Sequence, residues 1–281
     1  MSAADTDATG TEPTAAERRT SELRQIQTFL TEVVAVRDLH PHLREVTVGG
    51  GDLATFDQAG PDTFLYVLLP PEGRRALTID QSFTWEAHAR MAEEDKPVGA
   101  YYTLRRWRPE ALELDILMVL HGDTGPASRW AGRAAVGDPV ALWGPRTAYH
   151  PPAGTDRLVL VADETGLPAV AVILEQLPAG WTAEVLAEVD GAAERHELPT
   201  GPGITTTWLH RDGAEAGTTS LLADAAVTLE RPGGTPYVWG GGESRAMTAV
   251  RRHVRDGWGL DPEAVSLVAY WRHATSPDPE D

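Results

Sequence analysis

Near residue 150 the hydrophobic period of the chain changes, and that change limits what the chain can fold into. From Thr31 to about Gly144 apolar residues recur at every second position in short runs: "VVAVRDL", "LREVTV", "FLYVLLP", "YYTLRRW", "LELDILMVL" and "DPVALWG". Period two marks strands with one buried face, and the Gly, Pro and Asp between the runs mark turns. In "LELDILMV" the alternation puts Leu112, Leu114, Ile116 and Met118 on one face. Several such strands predict a small antiparallel barrel. Two helices are expected within it, Ser82–Lys96 and a short one in "PASRWAGRA". After a linker at His150–Arg157, buried strands such as "RLVLVAD" alternate with helical stretches such as "GLPAVAVILEQLP" and "ESRAMTAVRRHVRDG". Alternation of that kind predicts a parallel sheet covered on both faces. The expected architecture is therefore all-β plus α/β, an antiparallel barrel (29–149) followed by a doubly wound parallel domain (150–275). Residues 1–28, rich in Ala, Thr, Asp and Glu, and the end 276–281 are expected to be disordered tails.

Composition excludes several chemistries. Without cysteine there is no disulfide, catalytic thiolate, zinc–thiolate site or cysteine-ligated iron–sulfur cluster. The net charge of −18 argues against general nucleic-acid or anionic-membrane binding. Lys96 is the only lysine, so nearly all positive charge is arginine, the better fork for phosphates and carboxylates. No apolar run approaches the roughly 20 residues of a membrane span, and the N-terminus lacks a signal-peptide core. A cytoplasmic monomer is the expectation.

Ligands of doubly wound sheets sit beyond the carboxyl ends of the strands. Those ends are Val161–Gly166 ("VADETG"), Trp239–Ser244 ("WGGGES") and Ala269–His273 ("AYWRH"). In the barrel the unusual run is Val98–Trp107, "VGAYYTLRRW", where aromatic, hydroxyl and guanidinium groups follow one another. "HGDTGPASRWAG" reads as a turn into a helix N-terminus, with Pro126 early in the helix and the Ala127 and Ser128 amides open to an anion. His40 and His42 read as a surface turn rather than a metal site, and no protein metal ligands are expected. Arg251, Arg252 and Arg255 read as a solvated helix face.

Five segments in order carry a resemblance: Tyr101–Arg105, His121–Ala131, Gly137–Arg146, Ala162–Ala169 and Val238–Arg272. With them the chain resembles siderophore-interacting proteins, FAD-dependent ferric-siderophore reductases of the ferredoxin-reductase-like superfamily. The resemblance implies an FAD-binding barrel, a domain for NADPH or NADH, and a ferric siderophore or other small molecule as substrate. Ferredoxin is a second possible donor. It places Tyr102 and Thr103 at the flavin ring and Arg105 toward the pyrophosphate. His121, Gly122, Gly125, Ala127 and Ser128 would lie along the ribityl and phosphate groups. Asp163 and Thr165 would stand at the flavin edge, with capping as the structural role of Asp163 and Glu164. Glu243 and Arg245 would meet ribose and phosphate, unless Glu243 and Ser244 cap a helix. Trp271 would cover the ring, and Tyr270 and Arg272 would face the chelate. Thr103, Thr165 and Trp271 are the candidate catalytic residues. Without a GxGxxG, the nicotinamide nucleotide rests on the resemblance alone.

One residue departs from the pattern. Two positions before the Tyr-Thr pair, the family carries an arginine for the pyrophosphate, and here the residue is Ala100. Either Arg105 or Arg106 substitutes, or the flavin is held weakly, changed or absent. A biosynthetic enzyme using the old cofactor cleft is accordingly the alternative function.

Overall fold

The computed structural model describes residues 26–121, 125–274 and 276. Residues 1–25, 122–124, 275 and 277–281 lie outside the described residues, Gly122 and most of both expected tails among them.

Six strands close an antiparallel barrel. They are β1 (Gln27–His40), β2 (Leu43–Gly49), β3 (Phe64–Leu69), β4 (Val98–Arg108), β5 (Glu113–Val119) and β6 (Pro139–Arg146), in the order β1-β2-β5-β4-β3-β6. Strand β1 begins at Gln27, two residues inside the segment expected to be a tail. Alternation drives the closure. Leu65 and Val67 of β3, Leu104 of β4, and Leu114, Ile116 and Met118 of β5 all point into one core. Leu112 falls in the turn before β5 with φ 53° and packs only on the edge of that core.

The expected long helix at Ser82–Lys96 is not formed. Helix α1 covers only Trp85–Ala89, capped by Thr84, and Glu93–Asp95 make a separate 3₁₀ turn. A continuous helix would have stacked Glu93, Glu94 and Asp95 at its carboxyl end, against the helix dipole. Helix α2 (Pro126–Ala131) plugs the barrel with Ala127, Trp130 and Ala131.

Five parallel strands form the second sheet: β7 (Arg157–Ala162), β8 (Thr182–Val189), β9 (Ile204–His210), β10 (Pro236–Glu243) and β11 (Val265–Trp271), ordered β11-β10-β7-β8-β9. The order reverses between β7 and β10, so their carboxyl ends flank the switch point. Helix α3 (Leu167–Glu175) covers one face, and α4 (Leu221–Thr228) and α5 (Ser244–Arg252) cover the other. Helix α3 is apolar all round because the sheet lies on one side of it and β4 of the barrel on the other.

The joint between the lobes is densely bonded. Asp62 is fully buried and accepts from the Thr147 hydroxyl, the Ala148 amide (3.1 Å) and Trp239 Nε1 of β10 (3.0 Å). Tyr237 Oη accepts from the His150 amide, and the Ser266 hydroxyl donates to the Ala148 carbonyl.

Candidate functional site

Strand β4 brings the two lobes together. Val98, Ala100 and Tyr102 pack against the barrel core, while Thr103 and Arg105 face the α/β lobe. Successive strand residues point to opposite faces, so Tyr102 and Thr103 are not side by side. Thr103 is 4% exposed, and its buried Oγ1 makes no hydrogen bond of good geometry. Tyr270 of β11 leans toward Thr103 across the seam. Burial pushes the Tyr270 phenol well up and that of Tyr102 to about 12, so both stay protonated donors. Arg105 forms a fork to Glu175 at the end of α3 (2.6 and 3.2 Å). In this structure the pairing straps β4 to α3.

At the start of α2, the Ser128 hydroxyl accepts from the His121 amide at 3.1 Å; Ala127 is buried and Gly125 is the cap position. Arg146 lies on the barrel face beside Tyr101.

The switch point is built around Asp163. Its carboxylate accepts from the Thr165 amide (2.9 Å) and hydroxyl, the Glu243 amide (2.8 Å) and Trp271 Nε1 (2.8 Å). Trp271 therefore lies beside Asp163 and against Gly217. Two glycines permit this closeness. A Cβ on Gly166 would stand 2.2 Å from the Gly241 carbonyl, and one on Gly241 would stand 2.8 Å from the Tyr270 ring. Glu243 caps α5 by accepting from the Arg245 and Ala246 amides, and it also takes the Ser276 hydroxyl at 2.7 Å. Ser276, expected in the tail, is thus buried. Burial alone would raise Glu243, but the bonds from Ser276, the His273 and Arg245 amides and Ser244 hold it below its ordinary range. Arg245 also reaches Ser276, and Arg272 follows directly on β11. Arg251, Arg252 and Arg255 are exposed, as expected of a solvated face, and Arg251 also donates to the Leu267 carbonyl.

Two features were missed by sequence reasoning. Glu164, Glu188 and Arg211 form a buried ion cluster at the ends of β7, β8 and β9. The His40–His42 turn also abuts the α/β lobe, with His42 on Glu194 and His40 against His196. Among the described residues no cluster of three or more His, Cys, Asp or Glu is arranged to hold a metal.

Burial first, then the charge of Glu164, pushes Asp163 up to about 6. The unfolded value is about 4, so the folded protein takes up a proton that the unfolded chain lacks between those values. The linked stability is complete below about pH 4 and is lost as pH rises through 6, about 3 kcal/mol for two units. In urea unfolding, wild type should lose stability relative to Asp163→Asn between pH 4.5 and 7.5. Parallel pH curves would refute the shift.

The residues of the seam fit a flavin. A buried Thr103 hydroxyl that makes no hydrogen bond of good geometry faces the α/β lobe from the barrel strand that carries the Tyr-Thr pair. The comparisons agree. The siderophore-interacting FAD-binding domain family matches residues 32–149, and the siderophore-interacting protein family matches 155–274. An uncharacterized protein of Mycobacterium tuberculosis is 31% identical over 251 residues, 86% of this chain and 89% of that one. Ferric vibriobactin reductase ViuB of Vibrio cholerae is 27% identical over 254 residues, 90% of this chain and 92% of that one. The crystal structure of a siderophore utilization protein from T. fusca matches with TM-score 0.79 at 34% identity, covering 92% of this chain and 97% of that one. The ferredoxin reductase of carbazole 1,9a-dioxygenase shares the fold, with TM-score 0.63 at 15% identity over 88% of this chain and 70% of that one. With both of its lobes matched in order, the chain belongs to the siderophore-interacting proteins and has the ferredoxin-reductase-like fold.

Proposed function

We propose that the protein is an FAD-dependent ferric-siderophore reductase that draws electrons from NADH or NADPH and reduces chelated Fe(III) to Fe(II). The observation that carries this reading is the Thr103 hydroxyl, buried beside the Tyr270 phenol between an FAD-binding barrel and a doubly wound sheet. When bound, FAD supplies the conversion of hydride transfer into single-electron transfer. The protein supplies position and dryness. Thr103 offers a hydroxyl to the flavin edge from the barrel side. Tyr102 backs it from the opposite face of β4 and Tyr270 closes it from β11. Thr165 and Asp163 hold the β7 turn on the α/β side. The amides of Ala127 and Ser128 at α2 and the glycines ending β10 are the backbone approaches for phosphates.

Purified protein should carry FAD and, under anaerobic conditions, drive NADH- or NADPH-dependent capture of Fe(II) from a ferric chelate. Loss of one hydroxyl contact in Thr103→Val should slow that capture by about tenfold and shift the flavin absorbance. Bound FAD that passes no electrons from a nicotinamide or ferredoxin to any ferric chelate would sink the proposal. Ala100 and the Arg105–Glu175 pair favour a second reading, a biosynthetic enzyme with a weakened or lost flavin. Colourless protein that cannot be reconstituted with FAD would support it.

A further inference from the structure

The outer face of the barrel beside Thr103 is aromatic. Register aligns two rows across β6, β3 and β4: Arg146, Phe64 and Thr103 in one, Trp143, Tyr66 and Tyr101 in the next. Tyr101 meets Phe64 edge-on at 5.5 Å and Tyr66 at 4.8 Å between ring centroids. Tyr66 is pinned by its hydroxyl, which donates to the Gly99 carbonyl. Arg146 stacks on Trp143 with its guanidinium carbon 5.1 Å from the ring centre and reaches the Tyr101 hydroxyl. At one end of this face Trp85 and Phe83 cover the strands, and at the other the α/β lobe buries Thr103. Between them Tyr101 is left 44% exposed, one of four large hydrophobic side chains so exposed among the described residues.

We propose that this strip is the seat of the chelate's ligand shell, and that it selects ferric chelates with aryl groups and little negative charge. The inference rests on the reductase reading and names its substrate class. Contiguity supports the occupant, because Phe64 pairs directly with Thr103, so a chelate on the strip borders the flavin seam. Chemistry supports it also. Exposed ring faces and edges reward aryl groups over alkyl ones. Arg146 is the one cation among these side chains, in a chain of net charge −18 that repels polyanions.

Two neutral complexes with the same iron donors test it, tris(benzohydroxamato)iron(III) and tris(acetohydroxamato)iron(III), which differ in phenyl against methyl. Each is titrated into FAD-loaded protein with excess ligand, following intrinsic fluorescence. The phenyl complex should bind at least about tenfold more tightly, and Tyr101→Ala should reduce the ratio to within about threefold with the flavin spectrum unchanged. The ferric tris-catecholate, aryl but triply negative, should bind more weakly than the phenyl complex, with the gap narrowing in high salt. Equal binding of the two neutral complexes, or a phenyl preference that survives Tyr101→Ala, overturns the seat while leaving iron reduction intact. Failure to bind or reduce any ferric chelate overturns the function and the seat together.

Discussion

Arg211→Ala is expected to cost about 3–5 kcal/mol of stability. The Arg211 side chain is 5% exposed and lies between Glu164 and Glu188, themselves 12% and 7% exposed. Its guanidinium forks onto both Glu164 oxygens and reaches Glu188 at 3.4 Å, and Glu188 also accepts from Thr219 at 3.0 Å. Removing the cation leaves two buried carboxylates facing one another, with neither hydration nor a counter-charge. Burial already raises Glu188, so acidification should return part of the loss by protonating it. Urea unfolding at neutral and mildly acidic pH reads both effects. A loss under about 1 kcal/mol would mean that the cluster is hydrated and weak.

The second large effect is expected from Asp62→Ala. Three donors converge on this carboxylate: the Thr147 hydroxyl, the Ala148 amide and Trp239 Nε1. Each buried donor left without an acceptor costs about 1–3 kcal/mol, so the total should be about 3 kcal/mol or more. Trp239, fully buried in the core of the α/β lobe, should then report the change by a red shift of its fluorescence. Asp62→Asn keeps one acceptor oxygen and should lose about half as much. An Asp62→Asn variant as stable as wild type beside a destabilised Asp62→Ala would show that packing, not hydrogen bonding, sets the effect.

What the sequence revealed followed the range of its signals. Period two located all six barrel strands, because a half-buried strand writes its environment into each second residue. The apolar run at α3 was legible as a helix, though not the reason it is apolar all round, which is the barrel strand lying against it. The long helix at Ser82–Lys96 failed because composition favoured it while the order of its acidic residues opposed it. At the site, the motif order led to Thr103 and to the β7 turn. The alternation of β4 also held a signal that Tyr102 and Thr103 point apart. Partners distant along the chain were not legible. Arg105 meets Glu175 70 positions away, and Asp62 meets Trp239 177 positions away. No local pattern distinguishes an arginine that binds a phosphate from one that straps a helix.

The bonded linker also bears on how the cleft can move. Thr147 and Ala148 are held by Asp62 of the barrel, and Ala148 and His150 by Tyr237 and Ser266 of the sheet. A hinge needs a few residues free to absorb changes in φ and ψ. Here the covalent crossing is anchored on both sides, so mechanically it is a weld. Rotation of the lobes about the linker would break those bonds together. Beside that weld the Tyr270 ring lies so close over Gly241 that any larger residue there would have to displace it.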